Sequence, residues 1–281
     1  MKRLRIEHST GFSYQGDVSA SYNEARMLPV STDSQFVLSS SLDIDPSTSV
    51  NQYIDYFGTR VSAFDVLSPH DDLSITARSL VEVRPRPIQH LDVSWESLAA
   101  EAERSIATVE QLTQTARTRP HPEVAEIARS IAGQHDHPGA AAHAIAEALG
   151  DAVEYMHGVT SVLSTAHEAW VARKGVCQDI AHITLGALRE VGIPARYVSG
   201  YLHPRPNAEV GVAVTGESHA WVEWFAGDWQ GFDPTNNIEI GDRHVLVGRG
   251  RDYNDVPPLR GVYAGPFKSA LNVKVTITRE M

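Results

Sequence analysis

The spacing of apolar residues changes period twice along this chain, and no single repeating architecture accommodates that. Over the first ninety residues apolar and polar positions alternate in runs at Leu4–His8, Ser21–Leu28, Gln35–Ile44, Gly58–Val66 and Leu73–Val83, with turn residues between them. Five or six short strands at this spacing predict an antiparallel β-sandwich. Arg84-Pro85-Arg86-Pro87 then ends the last strand, because proline cannot donate to a ladder and restricts the residue before it. A boundary there gives residues 1–90 to the β-sandwich and 91–281 to a second domain, and 281 residues suit two domains better than one.

From Ser94 the period becomes helical, through Trp95, Leu98, Ala99 and Ala102, and further helices are expected near 122–132 and 138–150. Thr165 is placed to cap a helix running through Trp170 and Val171, closed by Gly175. The next helix carries Ile180, Ile183, Ala187, Leu188 and Val191 on one face and stops at Gly192, with Pro194 just beyond. The period then drops back to two in Ala195–Tyr201, Ser218–Phe225 and Asp228–Asp233. Helices followed by antiparallel strands predict an α+β domain in which the helix that starts at Cys177 packs on a sheet.

Composition narrows the function. With 42% hydrophobic and 21% charged residues the chain reads as globular, and a formal net charge of −11 argues against a nucleic-acid partner, which needs a basic footprint. No run approaches the ~20 apolar residues of a membrane span, so no membrane partner is expected. The basic Met1–Arg5 start leads into Ile6-Glu7-His8-Ser9-Thr10 rather than an apolar signal core. One cysteine permits no internal disulfide, which fits a cytoplasmic location.

That cysteine, Cys177, follows a glycine turn at the start of a long amphipathic helix. There the helix dipole and unpaired N–H groups favour a thiolate. A lone cysteine is also an ordinary small hydrophobe, so the position alone leaves both readings open. Register adds a histidine and an aspartate. Ala226-Gly227-Asp228 forms a short turn between two aromatic-rich strands. A turn centred on residue 227 sets His219 opposite position 235, and one centred on 226 sets it opposite Asp233; parity is the same, so both side chains share a face. A carboxylate there can fix the tautomer of an imidazole and leave its other nitrogen for a thiol proton. A structural histidine and an Asx-type strand end at Asp233-Pro234 are the alternatives.

Four blocks occur in an order that resembles the transglutaminase-like superfamily, in particular bacterial cysteine peptidases with a β-rich N-terminal region. They are Gly175-Val176-Cys177-Gln178-Asp179, Gly192–Tyr201, Ser218–Glu223 and Gly231–Asn236, joined by Asp55–Gly58, Ser68-Pro69-His70 and Gly250–Pro258. The resemblance implies Cys177 as nucleophile, His219 as general base and then acid, and Asp233 as the residue that orients it. It implies acyl transfer through a thioester on a peptide or protein substrate, with no cofactor or metal. Hydrolysis by water is the preferred outcome, transamidation by an amine the alternative, and a non-catalytic peptide-binding module the third reading. The oxyanion glutamine that papain-like relatives carry before the cysteine is missing from Glu168–Lys174. Gln178 and the Cys177 N–H are the candidate donors.

Other positions carry weaker expectations. Tyr155, in the Tyr155–Thr160 stretch, and Trp221 are candidates to line the site, with core packing as the alternative for each. Asp179 is read as capping or charging the helix start rather than doing chemistry. His182, five residues after Cys177, lies roughly 140° around the helix and is read as structural. His135-Asp136-His137 lacks a further ligand and is read as a solvated loop rather than a metal site. The Gly250–Pro258 loop is placed at the rim of the cleft. The β-region offers either substrate docking or a homo-oligomer surface.

Overall fold

A computed structural model describes residues 1–85 and 93–281. The Arg86-Pro87 half of the expected boundary lies outside the described residues. Six strands come first: β1 (Lys2–Val18), β2 (Ala20–Ala25), β3 (Gln35–Asp45), β4 (Val50–Ile54), β5 (Arg60–Val66) and β6 (His70–Val83). Helices α1 (Trp95–Arg104), α2 (Ile106–Val109), α3 (Pro122–Ala132) and α4 (Pro138–Asp151) follow, then the short β7 (Glu154–Tyr155), α5 (Ala166–Ala172), β8 (Lys174–Gly175) and α6 (Cys177–Glu190). The chain ends in β9 (Ala195–Leu202), β10 (Ala213–Phe225), β11 (Trp229–Asp233), β12 (Ile238–Glu239), β13 (His244–Gly250), β14 (Leu259–Ala264) and β15 (Ser269–Arg279).

The sandwich expected from alternation is present, and the end of the chain completes it. One sheet runs β14-β2-β5-β4, and the other contains β15-β1-β6-β3 within a larger sheet that continues through β10. Leu73, Ile75 and Ala77 of β6 fill the space between the sheets with Phe64, Val66, Met27 and Leu28. Farther along, the same face of β6 turns to a different partner. Val81 and Val83, with Leu4 and Ile6 of β1, pack on Tyr201, Val245 and Val247 of β9 and β13. Period-two burial on one strand thus serves two cores. At the seam between them the Tyr201 hydroxyl donates to Met27 O at 2.9 Å and meets His8 Nδ1 at 3.0 Å.

In the second half α6 is buried along nearly its whole length, with α3, α4 and α5 around it. Its apolar residues Ile180, Ile183 and Leu188 meet Ala220, Val222 and Trp224, the even positions of β10. Odd positions of β10 point elsewhere: Trp221 packs with Val198 and Leu246. Glu223 is held by Arg196 and Arg249, each with a guanidinium nitrogen at 2.7 Å, which ties β9, β10 and β13 together. Thr165 caps α5 through a reciprocal pair with Glu168, as its sequence position predicts. Among the described residues no helix is long and apolar enough to cross a membrane.

Candidate active site

Cys177 is the first residue of α6, and the residues before it explain its position. The Asp179 carboxylate folds back to accept from the Val176 N–H at 2.8 Å and from Thr160 Oγ1 at 2.6 Å. That return is close: a Cβ on Gly175 would stand 2.8 Å from Asp179 Cβ and Oδ2, which only glycine avoids. Burial pushes the Asp179 carboxyl up against the lowering effect of these two donors. Asp179 therefore caps the helix start, as its position suggests, and does so from a buried site. Gly175 also pairs with Tyr155 in the parallel β7–β8 ladder, which brings Tyr155 beside the cysteine.

The hairpin settles the register at a turn centred on residue 227, with Phe225 opposite Trp229 and Val222 opposite Phe232. Gly227 takes φ +86° at the apex, a conformation glycine adopts without steric cost. His219 lies beyond the last β10–β11 pair and reaches Asp233 diagonally, with His219 Nε2 2.7 Å from Asp233 Oδ2. The Asx-type strand end is equally real. Asp233 Oδ1 accepts from the N–H groups of Thr235 at 3.1 Å and Asn236 at 3.2 Å. One oxygen builds the turn while the other holds the imidazole, so the two readings of Asp233 coexist.

Two further donors converge on Asp233 Oδ2: Asn236 Nδ2 at 2.7 Å and His244 Nε2 at 3.3 Å. His244 Nδ1 accepts from the Gly241 N–H, so its proton is assigned to Nε2, the atom that faces Asp233. Burial holds His244 below the ordinary histidine range despite the carboxylate, and it serves as a neutral donor. Burial opposes charge on His219 as well, but hydrogen bonds to Asp233 and to the Cys177 side chain outweigh it and raise the imidazole well above its usual range. The Asp233 carboxyl follows the same logic in reverse: burial would raise it, and the two histidines pull it well below the carboxylate range. His219, Asp233 and His244 place their ligand atoms within 4.8 Å of one another, arranged as N–H donors around one shared oxygen.

Cys177 and His219 open onto a cleft of about 400 Å³. Tyr155 and Gln178 line it, joined by Glu217, Tyr253 and Val273. The Tyr155 hydroxyl donates to Glu217 Oε2 at 3.4 Å, and burial and then the neighbouring Cys177 push its phenol well up. Gln178 turns its side-chain nitrogen toward Val162 O, 3.5 Å away. Tyr253 and Pro258 bring the Gly250–Pro258 loop to the rim, as expected.

Trp221 is a correction. It is 2% exposed, stands edge-on to His244 at 5.4 Å and is not in the cleft lining, because it lies one repeat past His219 on the same strand face, where Val198 and Leu246 close over it as a smaller core behind the site. His182 is buried and accepts from the Tyr253 N–H at 3.1 Å. His135 and His137 turn Nδ1 to separate backbone carbonyls, those of Ile131 and Val93. His244 and Asn236 escaped sequence reading as site residues. Asn236 stood inside a quoted block, three residues past Asp233, where an Asx turn would have flagged it. His244 heads a strand whose partner β9 lies some forty residues away, a pairing no local signal gives.

The thiol of Cys177 at the start of α6 and the imidazole of His219 thus share one cleft, with the Asp233 carboxylate bonded to His219 behind it. Residues 4–82 match the bacterial transglutaminase-like N-terminal region, and residues 125–234 match the transglutaminase-like superfamily core. An uncharacterized protein of Mycobacterium leprae is 42% identical over 99% of this chain and 99% of its own. Another, from Mycobacterium tuberculosis, is 33% identical over 98% of this chain and 92% of its own. The fold is shared with a crystal structure from Cytophaga hutchinsonii, provisionally designated a cysteine protease. Its TM-score is 0.76 at 20% identity, over 99% of this chain and 90% of that one. The chain belongs to the transglutaminase-like superfamily, with the bacterial transglutaminase-like N-terminal region preceding its core.

Proposed function

We propose that this protein catalyses cysteine-dependent acyl transfer on a peptide or carboxamide, with hydrolysis as the outcome. The observation that carries the proposal is His219, bonded to Asp233 at 2.7 Å and facing the same cleft as Cys177. In this reading a Cys177 thiolate, paired with the His219 imidazolium, attacks the carbonyl carbon. Among the described residues the first α6 N–H groups with backbone acceptors are those of Asp179 and Ile180, both bonded to Val176 O. The Cys177 N–H is thereby left to face the developing oxyanion, where an aimed donor contributes most.

The C–N bond then breaks as His219 gives its proton to the leaving amine, and a thioester joins the acyl group to Cys177. Water attacks that thioester with His219 as base, releasing a carboxylic acid and restoring the thiolate–imidazolium pair. Asp233 keeps the imidazole oriented throughout, itself fixed by Asn236 and His244. Hydrolysis is preferred to transamidation because the neighbour that shares the fold over nearly its whole length is designated a protease. The deciding experiment incubates the protein with glutamine-containing peptides, with and without excess primary amine, and reads products by mass. Chain cleavage or deamidation without an amine adduct supports hydrolysis, an amine adduct assigns transamidation, and no product from any peptide leaves a binding module.

A further inference from the structure

The strand β10 changes partner at the mouth of the cleft. Ala213 to Gly216 pair with Thr278 to Val275 of β15, but from Glu217 onward β10 pairs with β9. On its other edge β15 continues to pair with β1 as far as Tyr14 opposite Ser269. The segment Ser269–Lys274 thus has one edge with no backbone partner among the described residues. Exposed edges are normally blunted by charge, proline or a bulge. This one reads Ser269-Ala270-Leu271-Asn272-Val273-Lys274, with Leu271 at 60% and Val273 at 49% exposure and a single charge at its end.

The free edge leads to the nucleophile. Val273 and Val275 line the cleft that Cys177 and His219 share, and Leu271 continues the same face of the strand. The lining contains one carboxylate, Glu217, and neither lysine nor arginine, in a chain of net charge −11.

We propose that the Ser269–Lys274 edge of β15 is a docking strand for the substrate. An extended peptide segment, neutral or cationic, adds alongside it and is fed past Val273 toward Cys177. Main-chain hydrogen bonds supply most of the affinity, and Leu271 and Val273 contact alternate side chains. The occupant's identity rests on the acyl-transfer reading above; the free edge does not.

The probe is a fluorescent nonapeptide of alternating valine and threonine with a central glutamine and one lysine, added to the Cys177→Ala protein so that nothing turns over. Amides of 269–274 should exchange hydrogen more slowly once the peptide is saturating. N-methylation at alternate peptide nitrogens should each weaken binding about fivefold, with the nitrogens between them nearly neutral. Replacing the lysine by glutamate should weaken it further. Unchanged exchange over 269–274, a uniform N-methyl response or no binding at millimolar peptide overturns the docking strand, even if the wild-type protein forms a thioester with a small carboxamide. Conversely, alternating N-methyl sensitivity with no thioester in the wild type would keep the docking strand and remove the acyl-transfer reading.

Discussion

Replacing Asp233 with asparagine changes one atom in a place that five donors surround. Oδ2 faces His219, His244 and Asn236 Nδ2, and Oδ1 faces the N–H groups of Thr235 and Asn236. Asparagine offers a single acceptor oxygen, so either amide orientation sets its own N–H₂ against at least two donors. The residue is fully buried, and water cannot relieve the conflict. An unsatisfied buried donor costs about 1–3 kcal/mol, which for a chain of this size lowers Tm by roughly 2–10 °C. The chemical loss should be larger. Without the carboxylate His219 loses the partner that raises it and fixes its tautomer. A serine-protease triad with this change loses about 10⁴ in kcat, so a fall of roughly 10³–10⁴ is expected in peptide hydrolysis. Thermal melts and steady-state kinetics on the purified variant read both effects. Activity within tenfold of wild type and an unchanged Tm would remove Asp233 from its assigned position.

His244→Leu deletes a donor to the same carboxylate oxygen and is expected to lower kcat about tenfold to a hundredfold, shift the pH profile and leave KM nearly unchanged; partial rescue by His244→Gln marks a positioning role. Gly175→Ala drives a Cβ onto Asp179, and denaturant titration should show a loss of about 1–3 kcal/mol. The His219 interactions stabilise the fold fully below the unfolded histidine value of about 6.5 and are lost as pH rises through its raised folded value. Those of Asp233 are present above about pH 4 and are lost as pH falls through its depressed value, so the Tm gap between wild type and Asp233→Asn should shrink in acid.

Local signals account for most of what the sequence disclosed. The α6 helix was legible from its apolar face and its stop at Gly192, which takes φ +79°. The His219–Asp233 pair was legible because parity holds for either turn centre, even though the turn residue was undetermined. Long-range pairing was not legible. β14 and β15 return to β2 and β1 across more than two hundred residues, with Leu4 opposite Arg279, and nothing near either strand names its partner. The same gap hid His244, whose place beside Asp233 depends on β13 meeting β9. Trp221 was misplaced because alternation says that a side chain leaves a face, while the layer behind that face decides whether it meets solvent or core.

Alkylation of Cys177 by iodoacetamide at pH 6 probes the pairing of Cys177 with His219 and needs no substrate. With one cysteine in the chain the mass shift is unambiguous. A His219 imidazolium beside the sulfur should favour its attack on the reagent, so the wild-type second-order rate constant should exceed that of His219→Ala by at least about tenfold. Equal rates in the two proteins would contradict the account.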